Sequence, residues 1–344
     1  MSFRFFLSVF FLVTIAAQAE VVGVGATFPQ PIVRAWVEHY RQVHPLIVRY
    51  EGSGSAEGIR RITSRAVDFA LTDIPLTQSE LSKDDLIQWP LVVSGIVPVI
   101  NLPGISDQSL RLTGDVLSKI YLGEITRWND PAIQLLNPNL SLPALAIIPV
   151  HREEGSGTSF TFTSYLSSVS PTWDEKYGIG SKILWPLGPG AKGNDGVVKY
   201  VQQAKGAIGY VEFLYAQKYE LATVMLKNKS GEFVKPSLET FAAAASKANW
   251  RSQNYYQILS NQEGTISWPI VGVSYVLMHR NIAATDEMDT KDMLNFFDWI
   301  YHHGQIDAQS LSYLLINQDE VFSRIKESWL GVTDLHGKKI FQGK

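Results

Sequence analysis

From Val21 onward, short apolar runs alternate with longer amphipathic stretches, and that alternation limits the chain to few folds. Val21–Ala26 (VVGVGA), Leu46–Tyr50 (LIVRY), Val67–Thr72 (VDFALT) and Ala146–Val150 (AIIPV) read as strands, being short, apolar and rich in β-branched residues. From Pro31 onward, Ile32, Val33, Trp36, Val37, Tyr40 and Val43 recur three and four residues apart, the period of one helix face. Strand, loop, helix and strand in succession is the pattern of an α/β fold. With 344 residues and about 150 per domain, the length suits two such units. A second regularity bears on their arrangement. Trp89–Gly95 (WPLVVSG) is echoed by Trp268–Ser274 (WPIVGVS). Either two apolar strands resemble each other by coincidence, or a pair of strands crosses between two lobes. In the second case one lobe is discontinuous and the middle of the chain forms the other.

Residues 1–19 are expected to lie outside the fold. They carry one positive charge at Arg4, an apolar run over Phe5–Ala17, and an Ala17-Gln18-Ala19 ending with the small-x-small pattern of a signal-peptidase site. The run is shorter than the ~20 apolar residues of a membrane span, and the nearest later run, Leu91–Ile100, is shorter still. The expectation is an exported, soluble chain beginning at Glu20. The net charge of −3 becomes −4 with the loss of Arg4, which is not the basic character of a nucleic-acid binder. The absence of cysteine excludes disulfides, thiol nucleophiles, Cys-based zinc sites and a lipid-anchored cysteine.

Three glycine-flanked hydroxyl segments dominate the chemistry: Gly25-Ala26-Thr27-Phe28-Pro29, Gly52-Ser53-Gly54-Ser55-Ala56 and Glu154-Gly155-Ser156-Gly157-Thr158. Each stands where a strand hands over to an amphipathic stretch. A helix start leaves N–H groups without intrahelical partners and carries about half a positive charge. Glycine permits close backbone approach, and Ser or Thr adds a hydroxyl donor. One such segment is an ordinary helix cap; three in one chain point to convergence on an anion. Arg152, ending the strand before the third segment, carries a permanent charge able to fork onto an oxyanion. Asp73, ending the strand Val67–Thr72, stands where α/β strands place ligands. Alone, each reads as a surface ion-pair partner or a cap and not as a ligand contact; together with the three hydroxyl segments they make a consistent pocket.

The segments GATFP, YEGSGSAEGI, VDFALTD, HREEGSGTSFTFTSYL, GPGAKGNDGV and GAIGYVE, in that order, resemble the periplasmic phosphate-binding proteins of high-affinity phosphate ABC transporters. The resemblance implies a two-lobed α/β periplasmic binding protein fold of the class II type, with hinge strands joining the lobes. It divides the chain into a signal peptide (1–19), a discontinuous lobe I (20–97 and 272–344) and lobe II (98–271). It also implies phosphate contacts from Ala26, Thr27, Phe28, Ser55 and Asp73 in the first lobe, and from Arg152, Ser156, Gly157 and Thr158 in the second. Glu154, beside Arg152, replaces the aspartate that the family carries before Gly-Ser-Gly-Thr. The function implied is phosphate binding in the periplasm and delivery to an inner-membrane permease complex with its ATPase. A monomer with no cofactor, no metal, no nucleic-acid partner and no catalytic activity is expected.

Other motifs argue for less. Gly23-Val24-Gly25 opens like a dinucleotide fingerprint, but Phe28 stands where the third glycine belongs. Gly188–Gly193 lacks the Gly-Lys-Ser/Thr ending of a P-loop and is expected to lead into a helix near Asn194-Asp195-Gly196, capped by the Asn or the Asp. His302-His303 has no metal-site spacing and reads as a solvated loop before Gly304. Most of the nine tryptophans stand beside Pro, Asn or Arg, as packing residues do. His151 and Ser156 could be imagined as base and nucleophile, yet no Gly-x-Ser-x-Gly elbow surrounds the serine. Among binding proteins, sulfate or another tetrahedral oxyanion is the alternative ligand.

Overall fold

The computed structural model describes residues 20–283 and 286–341, so the expected signal peptide lies outside the described residues. The first hundred residues supply β1 (Glu20–Gly25), α1 (Gln30–Val43), β2 (Ile47–Gly52), α2 (Ser55–Thr63), β3 (Phe69–Thr72) and β4 (Leu86–Ile100). Beyond them the site rests on β5 (Ile148–Pro149), α3 (Gly157–Val169), α4 (Gly193–Gln203), β6 (Ala207–Glu212), β7 (Val271–His279) and α5 (Glu287–His303).

The main sheet runs β2-β1-β3-β7-β4-β6-β5, and two short strands, Ala222–Thr223 and Leu314–Leu315, pair with β4. β1 lies parallel to β2 and β3, whereas β7 is antiparallel to both β3 and β4. β4 is the spine. Leu86–Gly95 pairs with β7, and Ile96–Ile100 pairs with β6. Its 15 residues are all buried, because different layers cover its two ends. Pro90 cannot donate to the ladder, and the register with β7 slips there: Val92 faces Ser274 while Pro90 faces Tyr275. The two echoed segments are therefore antiparallel neighbours at the junction of a two-lobed α/β fold.

Helical periodicity predicts α1 well. Ile32, Val33, Trp36 and Tyr40 are buried on one face, but Val43, at the last turn, is 64% exposed. The AIIPV run contributes only the two-residue β5. Two loop readings need correction. His302 and His303 are the last residues of α5, where a cation suits the helix dipole, and His302 Nδ1 bonds the Asp298 carbonyl at 2.8 Å. α4 begins at Gly193 with Lys192 before it, so neither Asn194 nor Asp195 is the cap. Six tryptophans (36, 89, 128, 173, 268 and 329) are fully buried, as packing residues are. Among the described residues no helix is long and apolar enough to cross a membrane.

Candidate functional site

The β1–α1 turn is held from behind by three tyrosines. Tyr50 donates to the Ala26 carbonyl (2.6 Å), Tyr215 to that of Thr27 (3.0 Å) and Tyr313 to that of Phe28 (2.7 Å). In a planar trans peptide the C=O and the following N–H point opposite ways. Fixing the Ala26 and Thr27 carbonyls therefore aims the N–H groups of Thr27 and Phe28 away from the tyrosines, and neither has an acceptor among the described residues. The third carbonyl precedes Pro29, which has no N–H. Ala26 itself is committed, since its N–H donates to the Leu71 carbonyl at 2.8 Å. It supports the loop and offers no free donor.

Beside this turn, Ser55 opens α2 and Asp73 follows β3; both are buried. The Asp73 N–H donates to Ser55 Oγ (3.1 Å), whose hydroxyl reaches Asp73 Oδ2 only at 3.5 Å. Asp73 Oδ1 is buried without a hydrogen-bond partner. Burial raises the Asp73 carboxyl from 3.8 to about 7; Ser274, Arg152 and Ser55 act the other way. The Ser274 hydroxyl, at the β7 register slip, approaches but falls short of a hydrogen bond.

The second half of the site is the start of α3. Ser156 caps that helix, its Oγ accepting from Ser159 N–H at 3.2 Å, so its own O–H remains to donate. Gly157 and Thr158, the first two helical residues, keep the orphan N–H groups of a helix start. This helix end abuts Asp73 and Ser55 directly. A Cβ on Gly157 would stand 2.5 Å from both Asp73 Cβ and Ser55 Oγ, and one on Gly155 would stand 2.4 Å from Ala56 Cβ. The Ala56 N–H donates to the Gly155 carbonyl (3.1 Å), so α2 and α3 meet start to start.

Arg152 links the halves. It is 3% exposed, and its backbone N–H donates to Tyr210 Oη at 3.2 Å. Nη2 reaches Thr27 Oγ1 at 3.1 Å, and Nε and Nη2 both donate to Glu154 Oε1. That oxygen also accepts from the Gly193 N–H (3.2 Å). Glu154 thus fixes one edge of the guanidinium. Nη1 is buried with no protein acceptor. The site thus holds a buried cationic donor without an acceptor, Arg152 Nη1, and a buried carboxylate oxygen without a donor, Asp73 Oδ1, close enough that the arginine charge acts on the carboxyl.

Comparison with known proteins agrees. The chain matches the PBP superfamily domain over residues 13–302. It is 43% identical to the phosphate-binding protein PstS of Pasteurella multocida, covering 96% of each chain. It is also 44% identical to that of Haemophilus influenzae, covering 91% of this chain and 93% of the other. The chain belongs to the PstS family. Its fold matches that of a high-affinity periplasmic phosphate-binding protein bound with phosphate, with a TM-score of 0.69 at 20% identity over 90% and 93% of the two chains.

In this PstS-family chain, the segments read as ligand contacts adjoin one another: Thr27 meets Arg152, Asp73 meets Ser55, and the Gly157 backbone abuts both Asp73 and Ser55. Sequence reasoning missed the supports: Tyr50, Tyr215, Tyr313, Asn194 and Ser274. Three of them lie in segments that the sequence singles out, Tyr50 in YEGSGSAEGI, Asn194 in GNDG and Ser274 in WPIVGVS, but only as a strand end, a helix start and an apolar strand. The imagined His151–Ser156 pair does not form. The His151 ring stacks on Trp185, and its nitrogens lie against the carbonyl oxygens of Arg152 (3.0 Å) and Gly188 (3.1 Å). Among the described residues no group of three His, Asp or Glu side chains is placed to hold a metal.

Proposed function

We propose that this protein binds inorganic phosphate between its two lobes in the periplasm and delivers it to an ABC-transporter permease driven by its ATPase. One observation carries the reading: Arg152 Nη1 and Asp73 Oδ1 are both buried and both unpaired. A buried polar atom left without a partner is costly, so a ligand that satisfies both is strongly favoured. That ligand needs oxygens to accept from the arginine and from the N–H groups of Thr27, Phe28, Gly157 and Thr158. It also needs a proton to give the carboxylate. Phosphate has both; sulfate at neutral pH has no proton. The relatives' shared name, phosphate-binding protein, supports the same ligand.

The lobes divide at 20–97 with 272–344 against 98–271. The change of β4 partner between Gly95 and Ile96 and the start of β7 at Val271 support these limits. The reading is of a monomeric carrier without catalysis; the relatives' shared name, which is that of a binding protein, supports the carrier role. Calorimetric titration of the chain from Glu20 onward with phosphate and sulfate tests the reading. Tight phosphate binding with sulfate far weaker is expected; equal binding, or none, refutes it.

A further inference from the structure

Asn194 has a role that a helix cap does not explain. It lies fully buried in the first turn of α4, 167 residues from Thr27 in sequence, yet its Nδ2 is 3.0 Å from Thr27 Oγ1. Its orientation is not arbitrary. The backbone N–H of Glu212 can only donate, and the group 3.0 Å away is Asn194 Oδ1. The amide oxygen is therefore committed to Glu212, and the NH2 must be the end that meets Thr27. From the other side, Arg152 Nη2 approaches the same Thr27 oxygen at 3.1 Å, and a guanidinium also only donates.

A threonine hydroxyl has two lone pairs and one hydrogen. Here both lone pairs face donor-only groups, so the hydrogen can point at neither. No protein acceptor takes it among the described residues. We infer that Asn194, clamped by the Glu212 N–H, sets Thr27 as a permanent hydrogen-bond donor toward the bound oxyanion. This rests on the phosphate reading above and adds a positioning residue to it. Arg152 alone would leave one lone pair of Thr27 open, and the hydroxyl would be free to turn away from the ligand. With Asn194 in place the donor is oriented before the ligand arrives, and no rotor is left to freeze on binding.

The test is a double-mutant cycle read by phosphate calorimetry on the chain from Glu20 onward. Asn194→Ala is expected to weaken phosphate binding about tenfold in the otherwise native chain, and less than about twofold in a Thr27→Val background. Asn194→Asp is the second arm. It keeps an acceptor for the Glu212 N–H, so its melting temperature should stay closer to native than that of Asn194→Ala. It presents an acceptor to Thr27, which turns the hydroxyl toward itself. Its loss of affinity should also be several-fold smaller when Thr27 is valine. Equal losses in the two backgrounds, for either variant, overturn the inference while leaving phosphate binding intact. Absence of phosphate binding by the native chain would instead sink the functional reading, and this inference with it.

Discussion

Asp73 is the residue whose replacement should change the ligand and not merely weaken it. Its Oδ1 is buried without a partner, and its neighbours on the opposite helix start are N–H donors that favour any oxyanion. With sulfate bound, that carboxylate oxygen and the sulfate oxygen facing it would both be unpaired. Each unsatisfied buried group costs about 1–3 kcal/mol, and charged ones more. The pair amounts to roughly 2–6 kcal/mol, or about 30-fold to about 10⁴-fold in affinity. The upper end is what sites built on one specific hydrogen bond reach against analogues that lack it. Asp73→Asn replaces an obligate acceptor with an amide that can present either end. Phosphate should still bind, weakened about tenfold, while sulfate gains; the phosphate-to-sulfate ratio should shrink by about 100-fold or more. Calorimetry with both anions at about pH 8.5, above the point near 7 where burial places the Asp73 carboxyl, is the assay. The native protein supplies an internal control. As pH falls through about 7, Asp73 gains a proton and can itself donate, so sulfate should bind progressively better. If the ratio in the variant equals the native one, or if native sulfate affinity is flat with pH, Asp73 does not select the ligand.

Arg152→Ala should weaken phosphate by about 2–4 kcal/mol in calorimetry, because it removes a buried charge-assisted donor and leaves Glu154 with only the Gly193 N–H as partner. An unaltered dissociation constant would show that the guanidinium serves only Glu154 and Thr27. Gly157→Ala places a methyl carbon where Asp73 and Ser55 already stand, so phosphate affinity should drop more than tenfold and the ligand-free melting temperature should fall as well, because the overlap exists before any ligand binds. Native affinity in that variant would mean that the helix starts need not meet. Without ligand, thermal stability should fall as pH rises. Burial lifts Asp73 from 3.8 to about 7 and Glu212 from 4.5 to about 8, so the folded chain holds protons that the unfolded chain has released. That stability is complete below about pH 4 and is lost as the pH climbs through 7 and 8; a melting temperature that rises over this window would contradict the buried carboxyls.

Local chemistry made much of this protein legible without coordinates. The α1 stripe of Ile32, Val33, Trp36 and Tyr40 follows from a 3.6-residue period, which any chain must obey to bury one helix face. Likewise, Gly-Ser and Gly-Thr segments after strands announce helix starts with free N–H groups, because capping is decided within four residues. The WPLVVSG and WPIVGVS echo raised the possibility of paired strands, but β4 and β7 are neighbours only because tertiary pairing sets them antiparallel. What depended on the fold was every contact between distant residues. Three tyrosines from separate elements take successive carbonyls of one turn, and Gly157 is excluded from bearing a side chain by Asp73 and Ser55, far earlier in the chain. Asn194 reads as a cap because its neighbours in sequence form a helix start; its partners, Thr27 and the Glu212 N–H, come from the β1 turn and β6 respectively. Propensity is a property of a few consecutive residues, whereas a buried amide goes wherever packing brings an unpaired donor and an acceptor within 3 Å of it.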